Sequence, residues 1–226
     1  YVVMTGFLLI QGFVFERIVS ILNNPQVPAM TPLRAFFGGT FFFWLILLFI
    51  IPMITMRLIA EERRSGTIEM LMTSPVTEAQ VVVGKFAAAL LFYIVLWLPT
   101  VVYVILLGRH SDIDLGPIAA SYLGVVLIGF FVLAIGTFVS TLTNNQLIAA
   151  IISFAVVLFL FSLALVDQTV ISSSLFKPVL ARMNLWTQMD DFAKGIVDTR
   201  HVIYQLSVGA LFLFLAAKSL EVKKWR

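Results

Sequence analysis

The sequence predicts an all-α membrane protein with six transmembrane helices, a short cytoplasmic helix between helices 2 and 3, and an extracytoplasmic amphipathic segment before helix 6. Hydrophobic residues make up 61% of the 226 positions and charged residues 12%, whereas a soluble domain has about 45–50% and about 25%. Apolar runs of about 20 residues, the length needed to cross a bilayer, recur along the chain, and most charges lie between them. A soluble fold is therefore excluded, and residues 1–226 are expected to form a single transmembrane domain.

Helix 1 is expected at about 1–17, because an apolar run starts at the first residue and Glu16-Arg17 follows it. A cleavable signal peptide is the alternative, but this run has neither a charged n-region nor a small-residue cleavage site. We therefore expect a transmembrane helix, with a cytoplasmic lead-in ahead of Tyr1.

Five further helices are predicted at about 35–60, 78–107, 117–142, 146–166 and 201–220. Thr77 and Gln80 have the spacing of a capping box at the start of helix 3, and Pro117 suits the first turn of helix 4. The segment 167–200 mixes apolar and charged residues. It predicts one or two amphipathic helices at the membrane interface.

The distribution of charge predicts the orientation, because Lys and Arg are enriched in cytoplasmic loops. If residues 57–85 and the C-terminal tail are cytoplasmic, that side holds eight Lys and Arg against five Glu, which accounts for the whole net charge of +3. The other side then holds seven of each sign. An even number of helices also places both termini on one side, so both are predicted to be cytoplasmic.

The loop between helices 2 and 3 is the most informative segment. The quartet Glu61-Glu62-Arg63-Arg64 is expected to extend helix 2 beyond the bilayer, and Ser65-Gly66 to end it. Residues 67–73 can form about two helical turns before Pro75, with Ile68, Leu71 and Met72 on one face and Glu69 opposite. This pattern fits an amphipathic peg that offers an apolar stripe to a partner. An ordinary surface loop with a short helix fits it equally well.

Two stretches carry a resemblance to a known family. The run from Pro52 to Val76 resembles the signature of ABC-type-2 exporter permeases and is closest to the gliding-motility-associated ABC transporter permease family. The stretch from Phe192 to Tyr204, which leads into helix 6, is similar to the same family. With the six-helix layout, the resemblance covers nearly the whole chain.

The resemblance implies that 67–73 is a coupling helix that docks on a separate ABC ATPase subunit, which binds ATP and Mg. This chain would then be a transport subunit without cofactor or ATPase site, in the bacterial inner membrane. A second permease subunit, identical or different, is expected from the family, with an auxiliary extracytoplasmic subunit and membrane lipid as further candidate partners. The candidate coupling residues are Glu61, Glu62, Arg63, Arg64, Gly66, Thr67, Ile68, Glu69, Leu71, Met72, Thr73 and Pro75.

Polar side chains inside the predicted helices are candidates for a transport pathway. They are Thr55, Thr100, Thr137, Ser140 and Ser153. The alternative is that each hydrogen-bonds a backbone carbonyl or a neighbouring helix. Two pairs in helix 4, Ala120 with Gly124 and Gly136 with Ser140, have the spacing that permits close helix packing, either within the subunit or at a dimer seam.

The outer segment has its own candidate residues. Gly195, Asp198 and Arg200 precede or begin helix 6. They are expected either to fix the start of that helix or to engage an external partner, and the structural role is the simpler of the two.

Other chemistries find little support in the residues. The chain has no cysteine, and His110 and His201 have no carboxylate companions at ligand spacing, so a metal site is not expected. Gly84-Lys85 lacks the preceding Gly and following Ser or Thr of a P-loop. The basic residues suit membrane topology, so nucleic acid is not an expected partner.

Three functional hypotheses remain. The first is the permease subunit of an ATP-driven exporter. The second is a six-helix secondary carrier or channel, which the scarcity of charge within the helices disfavours. The third is a membrane anchor that transmits ATPase work to an external protein machine.

Overall fold

The computed structural model describes residues 2–23, 31–39, 41–67, 77–109, 114–169 and 183–224. Within those ranges the chain is helical and has no strand. Six helices are long and apolar enough to cross a membrane, which confirms the predicted fold class. They are α1 (Val2–Leu22), the span Phe41–Arg64 that begins with α2 (Phe41–Thr55), α3 (Glu78–Gly108), α4 (Leu115–Leu142), α5 (Gln146–Thr169) and α6 (Thr199–Lys224).

Shorter elements join or interrupt the long helices. A turn at Pro32–Arg34 and a π-helical turn at Ala35–Gly39 precede α2. The stalk helix, Ala60–Arg64, follows α2, and the outer helix, Leu185–Ala193, precedes α6. Within α3 a 3₁₀ turn at Leu98–Thr100 accommodates Pro99.

Helix α4 forms the centre of the bundle. Of its most apolar stretch 72% is buried, against 17–50% for the other five helices, and it packs against α2, α3, α5, α6 and the outer helix. Small residues make these approaches possible: Gly124 faces Phe192 of the outer helix, and Gly136 faces Thr55 of α2. The closely packing pairs predicted in helix 4 therefore serve contacts within the subunit.

Helix α1 ends at Leu22, beyond the position expected from the charged pair Glu16-Arg17. The two side chains are largely exposed and lie 3.7 Å apart. They stay within the helix because the apolar residues after them continue to pack. For example, Ile18 is only 4% exposed.

The span expected over 35–60 and on through the charged quartet runs over Phe41–Arg64 in the structure, but its backbone is interrupted. Helix α2 ends at Thr55, residues 56–59 are not helical, and helical geometry resumes at Ala60. Pro52, which lies inside α2, has no N–H to donate to the Leu48 carbonyl, although its own carbonyl still accepts the Met56 N–H at 2.9 Å. The stalk helix is thus separated from α2 by a break in the backbone.

The outer helix forms within the segment predicted to lie at the membrane interface, but its apolar face is covered by protein. Leu185, Met189 and Phe192 are at most 3% exposed, and the helix packs mainly on α4 and on the π-helical turn. The sequence pattern indicated the amphipathic helix correctly. It could not indicate that the space left by Gly124 lets Phe192 enter the bundle.

Candidate functional site

The break and the stalk helix together form a structured link, called the junction here and comprising residues 56–67. Turn hydrogen bonds from the Met56 N–H to the Pro52 carbonyl (2.9 Å) and from the Leu58 N–H to the Thr55 carbonyl (3.2 Å) shape its first part. Ile59 and Ala60 are completely buried. The junction is therefore packed against the bundle where it begins.

A side chain from α4 satisfies the backbone of the junction. The N–H groups of Ile59 and Ala60 donate to the hydroxyl oxygen of Ser140 at 3.2 and 3.1 Å, and both bonds are buried. Ile59, the residue before the stalk helix, has no side chain able to cap it. The first N–H groups of a helix have no partner within the helix, so Ser140 supplies the acceptor that the local sequence lacks.

Helices α3 and α6 hold the junction as well. Lys85 of α3 forms an ion pair with Glu62, with both side chains 30% exposed or less. Ile59 packs in a small apolar cluster with Val82 of α3 and with Ala216 and Leu220 of α6. Helix α5 also contacts the stalk helix, so four long helices fix its position.

The four charges of the stalk helix divide into two kinds. Glu61 and Arg64 are exposed, whereas Glu62 and Arg63 are partly buried. The second carboxylate oxygen of Glu62 and one terminal guanidinium nitrogen of Arg63 are buried and have no hydrogen-bond partner among the described residues. Of the four charges predicted to meet a partner, Glu61 and Arg64 are the ones that face outward.

The stalk helix ends at a glycine. Gly66 has φ +73°, a conformation that side chains disfavour and that often ends a helix, and the Thr67 hydroxyl donates back to the Glu62 carbonyl at 3.4 Å. Gly66 and Thr67 are exposed. The predicted coupling residues Ile68, Glu69, Leu71, Met72, Thr73 and Pro75 lie outside the described residues, so their coupling role stays a prediction.

The five candidate pathway residues are all buried. Thr55 and Thr137 donate to carbonyls of their own helices, at 2.9 and 2.8 Å. Thr100 donates to the Trp97 carbonyl at 2.6 Å and also meets the Tyr122 hydroxyl at 2.9 Å. Local partners of this kind satisfy hydroxyl groups within a membrane.

The pathway candidates do not form one site. Thr55 and Ser140 both lie where α2 meets α4, but Thr100 meets α4 at Tyr122, about 27 Å from Ser140 at 1.5 Å per residue. Ser153 belongs to α5, and its buried hydroxyl has no hydrogen-bond partner in the part of the chain that the structure describes. A pathway through these residues stays a prediction.

A groove of about 290 Å³ opens between α1 and α2. Its lining is apolar and includes Phe7, Ile10, Phe49 and Met53. The candidate pathway residues are not part of its lining. Such a surface suits acyl chains, which fill apolar clefts in a bilayer without hydrogen bonds.

The outer residues adopt capping geometries. Gly195, at φ +85°, comes one residue after the C-cap Lys194 of the outer helix and lies against Pro117. The Asp198 carboxylate accepts the Arg200 N–H at 2.8 Å at the start of α6. The Arg200 side chain is 88% exposed, and its Nε lies 3.8 Å from the Asp198 carboxylate. Gly195 and Asp198 thus shape the chain between two helices, and the guanidinium of Arg200 projects outward.

Sequence reasoning missed the contacts that hold the outer helix. Asp190 pairs with Arg34 at 3.3 Å and with Lys194 at 2.5 Å. A fully buried amide pair, Gln205 donating to Gln188 at 2.6 Å, links α6 to the outer helix. The signal was present in principle, because a glutamine within an apolar helix requires a polar partner.

Lys85 was also missed as a contact of the junction. A lysine that follows an apolar run inside a predicted span calls for a counter-charge or for access to water. Glu62, 23 residues earlier, was an available carboxylate. Only the fold shows that the two residues meet.

The chain matches a known family over most of its length. The family model described as "ABC-2 family transporter protein" matches residues 4–216. That range includes nearly all of α1, the whole of α2 to α5, the junction, the outer helix and most of α6. No curated protein matches the chain.

Proposed function

Since the chain belongs to the ABC-2 transporter family, we propose that it is the membrane subunit of an ATP-driven exporter. A separate ABC ATPase subunit binds ATP and Mg and hydrolyses the nucleotide, and this chain receives the resulting movement. The subunit spans the bacterial inner membrane with both termini in the cytoplasm. It moves a substrate outward or performs work on an extracytoplasmic assembly.

The junction is the observation that carries the proposal. It is anchored at its start by Ser140 and Lys85, and it presents the exposed charges Glu61 and Arg64 directly before the predicted coupling helix at 67–73. A segment that transmits force must be held by the helices that are to move. Exposed charges beside an apolar stripe are also typical of interface rims and anchors.

A secondary carrier accounts less well for these features. Such carriers place ionisable residues near the middle of the membrane, because those groups bind the coupling ion. In the described parts of the spans, α4 has no charged residue, and Lys85 of α3 is paired with Glu62. An anchor subunit of an external machine remains compatible with the same coupling, and a transport assay separates it from an exporter.

Finer features of the proposal rest on the sequence. The stretches Pro52 to Val76 and Phe192 to Tyr204 support kinship with the gliding-motility-associated branch. We also include a second permease subunit and, with Arg200 exposed on the outer side, an auxiliary extracytoplasmic subunit. Membrane lipid is the expected neighbour of the apolar groove between α1 and α2.

The test begins with the ATPase that co-purifies with the permease. In reconstituted liposomes, the permease is expected to stimulate ATP hydrolysis by that subunit. Leu71→Asp is expected to abolish the stimulation, because a carboxylate in the predicted apolar anchor must be desolvated at the interface. The permease itself should still elute as a single species in detergent.

The matched control is Val222→Asp. Val222 is 61% exposed near the end of α6, so the same change in charge falls outside the proposed contact. It should leave the stimulation intact. If no ATPase associates with the permease, or if Leu71→Asp stimulates normally, the proposal fails.

A further inference from the structure

The stalk helix is too short to be stable alone. It has five residues, Ala60–Arg64, whereas isolated helices below about 12–15 residues are marginal in water. The break at 56–59 interrupts the helical hydrogen bonds that would otherwise continue from α2. The position of the stalk helix therefore depends on contacts with other parts of the bundle.

Ser140 provides the contact that acts on the backbone of the stalk. Its single hydroxyl oxygen accepts from Ile59 and Ala60, which are 81 and 80 residues away in sequence. A helix cap normally comes from a neighbouring residue, but here it comes from α4. Any displacement of the start of the stalk therefore pulls directly on α4.

The neighbouring contacts favour the same direction of transfer. Gly136, one helical turn before Ser140, lets Thr55 at the end of α2 pack directly on α4. The same helix α4 contacts α2, α3, α5, α6 and the outer helix. A push on the stalk is thus transmitted to α4, which contacts all of these helices.

We propose that Ser140 is a positioning residue that couples the stalk helix to α4, so that movement imposed on the junction passes into α4 through this hydrogen bond. The inference rests on the proposed function for its role in transport. The local part, a stalk held in place by Ser140, stands independently of any ATPase.

The local part can be measured on the permease alone. The chain has no cysteine, so spin labels can be placed at Arg64→Cys and Asn144→Cys, two exposed positions, without first replacing native cysteines. The distance distribution between the labels is expected to be narrow in the parent and clearly broader with Ser140→Ala. An unchanged distribution with Ser140→Ala overturns the inference.

The matched control is Ser121→Ala. Ser121 is a buried serine on the same helix, but its hydroxyl donates to the Pro117 carbonyl of α4 at 2.7 Å. Its loss should leave the distance distribution narrow. Ser140→Thr retains the acceptor oxygen, so its distance distribution should stay close to that of the parent. This second variant keeps the test decisive if Ser140→Ala misfolds. Broadening with Ser140→Thr in folded protein would contradict the inference.

The coupling part is measured with the ATPase present. Ser140→Ala is expected to lower permease-stimulated hydrolysis about fivefold, the factor that loss of one helix cap represents. Binding of the ATPase should remain, because the exposed face of the stalk is unaltered. Broadened distances with normal stimulation would show that the bond plays no part in coupling. If the parent binds no ATPase, the proposed function is wrong. The distance measurement still decides whether Ser140 holds the stalk helix in place.

Discussion

Gly136 and Ser140 lie one turn apart on α4. Gly136 matters because it has no side chain, and Ser140 matters because it carries one hydroxyl oxygen. Thr55 packs against the backbone at Gly136, and the Ser140 oxygen accepts hydrogen bonds from the N–H groups of Ile59 and Ala60. Both were visible in the sequence as a closely packing pair. Their partners in the junction were not.

Gly136→Ala tests the close approach of α2 to α4. An added Cβ would lie 2.6 Å from the side chain of Thr55, so one of the two helices must shift. Overpacking of this kind costs about 1–3 kcal/mol, at roughly 2–4 °C of melting temperature per kcal/mol for a chain of this size. Thermal unfolding in detergent measures the loss.

Gly84→Ala is the control for that change. Gly84 is also helical, but a Cβ there meets nothing within 4 Å. The substitution is expected to leave the melting temperature unchanged or slightly higher, because alanine favours helix more than glycine does. Equal losses for the two variants would argue against a packing role for Gly136.

At the scale of elements, the stalk helix and the outer helix are short and depend on the long helices for their position. The stalk is held by α3, α4, α5 and α6, and the outer helix by α4 and the turn before α2. Periodicity predicts that such segments are helical. It does not say against which surface they rest.

The ion pair between Glu62 and Lys85 is expected to contribute measurably to the position of the stalk. Both side chains are largely withdrawn from solvent, so a double-mutant cycle with Glu62→Gln and Lys85→Met should give a coupling of about 0.5–1 kcal/mol in thermal unfolding. The losses of stability in the two single variants should therefore sum to more than the loss in the double variant.

The pair Lys218 with Glu221 is the comparison. Its atoms lie 2.6 Å apart, but the side chains are 53% and 46% exposed, so solvent screens the attraction and the coupling should be close to zero. If the two cycles give the same value, the pair at the junction is an ordinary surface contact.

At the scale of the whole molecule, the bundle places the junction, the turn between α4 and α5, and the end of α6 at one end. The contacts of Ser140, and of Ala216 and Leu220, with Ile59 require this arrangement. Gly195 and the turn before α2 gather at the opposite end around the outer helix. The charge distribution predicts that the junction end is cytoplasmic.

Cysteine labelling tests this orientation. Asn144→Cys and Val197→Cys introduce single thiols at exposed positions at the two ends, and the parent chain, which has no cysteine, gives the background. A membrane-impermeant maleimide applied from the outer side of the inner membrane should modify Val197→Cys. It should reach Asn144→Cys only after the membrane is permeabilised. The reverse pattern would put the junction out of reach of a cytosolic ATPase.

The sequence alone determined that this is a six-helix membrane protein, because apolar runs of sufficient length have few alternatives to crossing a bilayer. It also predicted that the segment between helices 2 and 3 meets a partner. Only the tertiary structure decided that α2 breaks before this segment, that Ser140 and Lys85 hold the stalk helix, and that the amphipathic outer helix is covered by protein. Helix periodicity is a local property, whereas these contacts join residues from about 20 to more than 80 positions apart and exist only once the helices have packed.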